Sequence, residues 1–235
     1  KKKTKILGIV CARAGSQGIK NKNLLKLKKK NLFEIAISQA KKCKFFDRLI
    51  VSTDSPRIIK IAKKLKVDVP FSRPLHLSTN TAKEWDVWKH ALDYLKNKED
   101  YVPDVLVAVP VTSPLRTHSD IEKCIKKYLK YPSRPVISVT NSKRSPYFNM
   151  VKKINKNKYD LVIKNKKYFR RQDVPETFDV STIAFVISVK DVLNGSHLFE
   201  KGVNIVKFKE LEALDIDTQI DYKIAKILSK QFKFL

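Results

Sequence analysis

Short, nearly continuous apolar runs alternate along this chain with stretches whose apolar residues recur at helical spacing. KILGIVCA at residues 5–12 opens the pattern, and its almost unbroken apolar character fits a strand covered on both faces. RLIVSTD, DVLVAVP, PVISVT, STIAFVISV and VNIVKFK supply further strand-like runs. Between them, Asn31 with Glu34 three positions on predicts a capping box and a helix whose apolar side carries Ile35, Ile37 and Ala40. Ser55 and Pro56 predict the N-cap and first position of the helix PRIIKIAKKLK, and VDVPFSRP after it reads as a short strand running into a loop. Thr81 with Glu84 predicts a second capping box, and Ser119 with Glu122 a third. Trp85, Trp88, Leu92 and Leu95 recur at helical spacing, which places both tryptophans in a core or an interface. TQIDYKIAKILSKQF predicts the terminal helix.

Strands alternating with helices predict an α/β fold, with a mostly parallel sheet flanked by helices on both faces. The character changes over residues 141–178, where charges, asparagines and aromatics predict a hairpin or excursion from the main body. The expected organisation is a single domain over residues 1–235 with 141–178 as a protruding segment. Ligands in such folds bind beyond the carboxyl ends of the strands. That rule gathers CARAGSQGIKNKN, STD, TSPLR and LDID at one rim.

Composition changes this picture in two places. The formal net charge of +27 raises nucleic acid or an acidic membrane surface as a partner, but the lysines are spread over nearly every helix face and loop, the pattern of a solvated surface. Three cysteines, Cys11, Cys43 and Cys124, are odd in number and lack CxxC spacing, which argues against a disulfide framework or a zinc site and fits a cytoplasmic compartment. No run approaches the length of a membrane span, so a membrane role is not expected.

Four segments carry candidate chemistry. In the first loop, Gly15 and Gly18 free the backbone to approach a ligand, Arg13 and Lys22 add full charges, and Ser16 and Gln17 add neutral donors. That inventory suits a triphosphate; the alternative is an ordinary strand-to-helix turn with basic decoration. Asp215 and Asp217, two apart in LDIDTQID, would point to one side of an extended segment and hold a hard cation such as magnesium, or else charge the N-terminus of the last helix. Arg116 in TSPLR either binds an anion or pairs with Asp120. Arg73, Ser78 and Asn80 sit in a loop before a helix, where a base or phosphate would bind.

Taken in order, these segments resemble the acylneuraminate cytidylyltransferase family, also called CMP-sialic acid synthetases. Its ARxxSKGxxxKN loop, STD strand end, RPxxLAxDTA, QPTSPLR and DIDTExD stand here as ARAGSQGIKNKN, VSTDS, RPLHLSTNTA, VPVTSPLR and LDIDTQIDY. The resemblance covers essentially the whole chain. It implies a Rossmann-like nucleotidyltransferase that transfers CMP from CTP to the anomeric hydroxyl of an acidic keto-sugar, with Mg2+ as cofactor, in a homodimer whose protruding segment reaches the partner's active site. By position, Arg13, Ala14, Gly15, Ser16, Gln17 and Lys22 match the triphosphate loop and Asn23 a residue near the cytidine. Arg73, Ser78 and Asn80 fall in the second nucleotide-contacting loop, and Asp215 and Asp217 match the metal-binding pair. Arg13, Lys22 and Asp217 are thereby expected to carry the chemistry, while Arg171, Gln172 and Asp179 are expected to hold the sugar, including its carboxylate.

Departures from the family pattern are specific. Gln17 stands where lysine is usual, with Lys20 close by; Asn80 stands for aspartate, and Pro110 and Val111 for the QP of QPTSPLR. CARAGSQGIKNKN, SPYFN and RRQ followed by the aspartate of TFDV resemble the legionaminic acid branch. Pseudaminic acid, Kdo or phosphonate acceptors, and a basic nucleic-acid-binding protein, are the alternative readings.

Overall fold

The structure, a computed structural model, describes residues 3–15, 18–164, 168 and 170–232, without the side chain of Arg171. Its centre is a six-stranded sheet in the order β10-β6-β9-β5-β1-β4. These strands are β1 (Ile6–Cys11), β4 (Arg48–Ser52), β5 (Val105–Ala108), β6 (Val136–Asn141), β9 (Phe178–Ser188) and β10 (Asn204–Lys207). β1 pairs in parallel with β4 and β5, and β10 with β6, while β9 runs antiparallel between β5 and β6. The expected mostly parallel sheet is therefore present, with one reversed strand at its middle.

Both faces of the sheet are covered, and strand residues alternate between two cores. Ile6, Val10, Val51, Val107 and Val186 pack with helices α1 (Leu32–Lys42), α2 (Pro56–Lys64), α4 (His118–Lys130) and α6 (Gln219–Leu228). Leu7, Ile9, Ile50, Leu106 and Ile187 pack on the other face with α3 (Glu84–Glu99) and α5 (Val189–Asn194). Trp85 and Trp88 lie in this second core, 7% and 2% exposed, as their spacing predicts.

Helix starts follow the sequence signals unevenly. Asn31 accepts from the Glu34 N–H while Glu34 accepts from the Asn31 N–H, a complete capping box, and Ser55 caps α2 with Pro56 at its first position. The expected box at Thr81 and Glu84 does not form: Lys83 is the N-cap, without a side-chain hydrogen bond. Glu84 lines a cleft at the rim of the sheet instead. At α4 the cap lies two residues earlier in the chain, at Thr117, because Asp120 accepts from both the Thr117 N–H and its hydroxyl. Glu122 accepts from the Lys44 N–H in the neighbouring segment, which removes it from a capping role. Thr218 and Asp221 cap α6, so neither Asp215 nor Asp217 is its cap.

Three stretches differ from the sequence pattern. A minimal hairpin of β2 (Lys26–Leu27) and β3 (Lys30–Asn31) lies within the lysine run, turned by Lys28 at φ 53° and anchored by the buried Leu27. Residues 67–72 make only isolated bridges, Asp68 to Ile50 of β4 and Ser72 to Thr53 just beyond it, so the strand read there is only a trace. α5 follows β9 directly, with Ser188 accepting from the Asp191 N–H. Within residues 141–178, β7 (Val151–Asn155) and β8 (Lys158–Leu161) form a two-stranded hairpin off the main sheet.

Because Asn31 is 7% exposed and closes the first helix over the core, Asn31→Ala is expected to cost about 1 kcal/mol. Chemical denaturation of the two proteins measures it as a lower midpoint at an unchanged slope.

Candidate active site

The strand directions place the candidate segments together. β1, β4, β5 and β6 end at one rim, and the start of β9 lies there too, since Thr140 pairs with Asp179 and Asn141 with Phe178. The chain after β10 returns to the same rim, where the Ile216 N–H donates to the Thr112 carbonyl at 2.9 Å. A cleft of about 480 Å³ opens there, lined in part by Arg13, Gly18, Lys22, Asn23, Arg73, Glu84 and Asp217.

One half of this cleft is built by the first loop. The Ala14 N–H donates to Asp54 at 2.8 Å, and Asn23 donates to the Arg13 carbonyl at 3.0 Å, which folds the loop back on itself. Arg13 donates to Asn80 at 2.5 Å, joining the first loop to the second. Lys22 Nζ meets Asp217 at 2.9 Å, with the lysine side chain 16% and the aspartate 69% exposed. Gly18 lies so close to the Asp217 carbonyl that any Cβ would collide with that backbone oxygen, whereas Gly15 faces open space. Gly18 thus admits a close chain-to-chain approach that sets the Lys22–Asp217 pair. Ser16 and Gln17 lie outside the described residues.

The other half is more enclosed. Arg73 is 6% exposed and donates through Nε and Nη2 to the hydroxyl and carbonyl of Ser52 at the end of β4. Glu84 lines the cleft near Arg73 but forms no ion pair with it among the described residues. Packing around the Glu84 carboxyl raises its pKa and Arg73 opposes the rise, although the residue keeps solvent access through the cleft. The Cys11 thiol beneath them is pushed up to about 12 by burial and stays neutral. The buried Trp88 Nε1 lies near both groups without a formed hydrogen bond.

Below the rim sits a buried polar knot. Arg116, 1% exposed, donates to the Thr182 carbonyl at 3.2 Å, and its Nε and Nη2 have no partner among the described residues. Burial pushes its pKa down to about 9, and the nearby carboxylates of Asp215 and Asp120 resist that fall. Asp215 is raised by burial, with Thr112 and Thr182 opposing, and its Oδ1 is buried with no partner among the described residues. Asp120 itself is bonded to Lys123 at 2.8 Å, so Arg116 neither lines the cleft nor forms a direct pair with that aspartate.

The sequence candidates therefore separate. Arg13, Lys22, Asn23, Arg73, Asn80 and Asp217 converge on or beside the cleft. Ser78 turns its hydroxyl onto the Pro74 carbonyl, while Leu77 and Thr79 on either side face the cleft. Gln172 lines a separate hollow of about 370 Å³ with Arg144, and Asp179 accepts from Ser142 at 2.8 Å. Asp179 and Asp215 share a third hollow next to α6. Cys11, Ala82 and Glu84 are cleft residues without a role in the motif reading, and the spacing of Glu84 from Thr81 predicts a helix cap instead.

Among the described residues no group of three or more histidines, cysteines or acids is placed to hold a metal. Asp215 and Asp217 fit a cation that takes only one or two carboxylates from the protein and its other ligands from phosphates and water. The orphaned Oδ1 of Asp215 is the observation in favour of that fit.

Arg116→Met is expected to destabilise the fold by roughly 1–3 kcal/mol, since it leaves the buried Thr182 carbonyl and Asp215 without their donor and counter-charge. The unfolding free energies of variant and parent measure it.

Comparison with known proteins covers the full fold. Residues 7–235 match the cytidylyltransferase family. The chain is 32% identical over 233 residues to the post-translational flagellin modification protein B of Campylobacter coli, covering 97% of this chain and 96% of that protein. It is also 32% identical over 227 residues to the CMP-N,N'-diacetyllegionaminic acid synthase of Campylobacter jejuni, covering 95% and 94%. Among solved structures, a CMP:2-keto-3-deoxy-manno-octonic acid synthetase complexed with CTP aligns with a TM-score of 0.69 at 14% identity, over 97% of this chain and 99% of that one, a likeness of fold. A family match along nearly the entire length, on a sheet whose parallel strand ends open into a basic cleft, establishes that the chain belongs to the cytidylyltransferase family.

Proposed function

We propose that this enzyme transfers CMP from CTP to the anomeric hydroxyl of a nonulosonic acid of the sialic or legionaminic type. The convergence of Arg13, Lys22 and Asp217 around one end of the rim cleft is the observation that carries the reading. The similarity to a CMP-N,N'-diacetyllegionaminic acid synthase supports this acceptor class, and the 29% identity to the N-acylneuraminate cytidylyltransferase of Escherichia coli supports the wider one.

In this reading the acceptor hydroxyl attacks the α-phosphate of CTP. A new oxygen–phosphorus bond forms, the bond to the β-phosphate oxygen breaks, pyrophosphate leaves and the hydroxyl proton passes to solvent. No covalent enzyme intermediate is required. Placement and charge neutralisation supply the acceleration. Arg13, fixed by Asn80, and Lys22, fixed by Asp217, hold the triphosphate oxygens in a defined geometry. The positive charge of these two side chains offsets the charge that moves onto the leaving pyrophosphate. Asp215 and Asp217 would hold Mg2+, which when bound polarises the phosphates and screens their charge. Gln172 and Asp179 line hollows outside the nucleotide cleft, which supports a sugar site completed by the excursion, with Arg171 beside it. The hairpin exposes Val151, Ile154 and Tyr159 at 65%, 49% and 61%, which supports its burial in a homodimer. Three free thiols support a cytoplasmic setting, and among the described residues no helix is long and apolar enough to cross a membrane.

Pyrophosphate release from CTP, measured against sialic, legionaminic, pseudaminic and Kdo acceptors, is expected to be fastest with legionaminic or sialic acid and to depend on Mg2+. No release with any acceptor would remove the reading. Asp217→Ala is expected to lower kcat at least about 100-fold while leaving the far-ultraviolet circular dichroism unchanged. Activity near that of the parent would return Asp217 to a purely structural partner of Lys22.

A further inference from the structure

One strongly charged surface beside the cleft has no part in the chemistry above. Residues 1–33 include no aspartate or glutamate, and Lys26, Lys28, Lys29 and Lys30 crowd the segment between the first loop and α1. That segment is held in place. Leu27 is fully buried, the Tyr222 hydroxyl of α6 donates to the Lys26 carbonyl at 2.7 Å, and Lys28 Nζ donates to the Phe232 carbonyl at 2.7 Å. The β2–β3 hairpin is thereby fixed against the terminal helix, with Lys26, Lys28 and Lys29 exposed. α6 adds the exposed Lys223, and Lys226, whose ammonium lies 5.7 Å from the centre of the Tyr222 ring.

This hairpin borders the mouth of the cleft. Asn23, which lines the cleft, stands three residues before Lys26, and Tyr222 is one turn beyond Thr218, about 6 Å along α6 from the Asp217 end. Charges interact over about 8–10 Å at physiological salt, so the ammonium groups act on an anion approaching that end. Their field is not cancelled locally. Lys26, Lys28 and Lys29 form no ion pair among the described residues. The carboxylates near them are already engaged: Glu34 by the Asn31 N–H, Asp217 by Lys22, and Asp221 by the Thr218 N–H. α3, which begins at the other half of the cleft, instead interleaves Glu84, Asp86, Asp93 and Glu99 with its lysines. The surplus of positive charge therefore sits at the first-loop end of the mouth.

We propose that the β2–β3 hairpin is an electrostatic capture surface for the nucleoside triphosphate, whose lysines draw in the polyanion and turn its phosphates toward the first loop without touching it once bound. The proposal rests on the reading that CTP is the nucleotide donor. A field of this kind raises the rate of encounter and weakens steeply with salt, whereas groups that contact a bound ligand govern how fast it leaves. The hairpin lysines and the cleft cations are thus separable by kinetics.

Stopped-flow mixing with CTP and Mg2+, without acceptor, read through tryptophan fluorescence, tests it alongside calorimetric titration with the same nucleotide. The parent is compared with Lys26→Gln/Lys28→Gln/Lys29→Gln; Lys26→Glu/Lys29→Glu, which keeps the Lys28 bond to Phe232, replaces it if the triple variant melts lower. Lys96→Gln/Lys98→Gln is the control, since α3 ends toward the opposite rim, where the Asp104 N–H donates to the Lys5 carbonyl ahead of β1. At low salt the triple variant is expected to associate about fivefold more slowly than the parent, with its dissociation rate and kcat within about twofold. The difference is expected to vanish near about 0.5 M salt, and the control to associate as the parent does. An unchanged association rate, an equal loss in the control, or a loss seen only as faster dissociation overturns the proposal and leaves CTP as the donor. A parent that binds no CTP in the calorimeter overturns it together with that reading.

Discussion

A buried guanidinium with too few partners organises the rim of this enzyme. Arg116 leaves the loop after β5 and points inward, where it holds the Thr182 carbonyl of β9 and faces Asp215. β9 departs there from regular pairing: Ile137 is opposite Phe185 but the next residue, Ser138, is opposite Ser181. The Ser138 hydroxyl donates to the Ser181 carbonyl and accepts from the N–H groups of Ile183 and Ala184, so the irregular backbone does not lack partners. A charge this deep costs several kcal/mol unless it is answered, and the answer comes from three separate chain segments brought to one point. The loop after β5, the bulged middle of β9 and the return after β10 are tied together by that requirement.

The placement of the reactive half of the cleft follows from this knot. With Asp215 drawn inward and Ile216 bonded to Thr112, Asp217 emerges on the solvent side, where Lys22 and Gly18 meet it. Two aspartates only two residues apart therefore occupy different environments. One is half-buried and faces the Arg116 charge, and the other is exposed and paired with a loop lysine. A linear motif that treats them as equivalent ligands misses that division. The cleft is assembled from opposing sides, with the first loop set by Asp54, Asn80 and Asp217, and the second loop set by Arg73 on the end of β4.

Charge plays two roles that the net value of +27 conceals. Exposed lysines pair with carboxylates, as Lys143 does with Glu210, or lie over aromatic rings, as Lys127 does over Tyr131, and such surface pairs contribute little stability. The cations that line the cleft are instead fixed by specific partners: Arg13 by Asn80, Lys22 by Asp217, Arg73 by Ser52. Fixed cations cost little reorganisation when an anion arrives, which makes these few residues matter more to function than the many others.

The sequence by itself determined the strands, the covered sheet and the rim, because apolar periodicity is a local property and parallel strands oblige loops to gather at their carboxyl ends. It also determined the first loop and the late aspartates as parts of one site, through residue types and spacing that the fold then brought together. Tertiary structure alone decided which carboxylate caps which helix. Glu34 serves as its spacing predicts, but Glu84 lines the cleft and Glu122 accepts from the Lys44 N–H of another segment, and a cap signal does not contain that competition. It decided too that Arg116 goes inward while Arg13 and Arg73 face the cleft, since the depth of a side chain depends on what packs above it. Gly18 is the sharpest case: its need for no side chain comes from Asp217, a residue far along the chain, and only the folded arrangement puts that carbonyl where a Cβ would have to be.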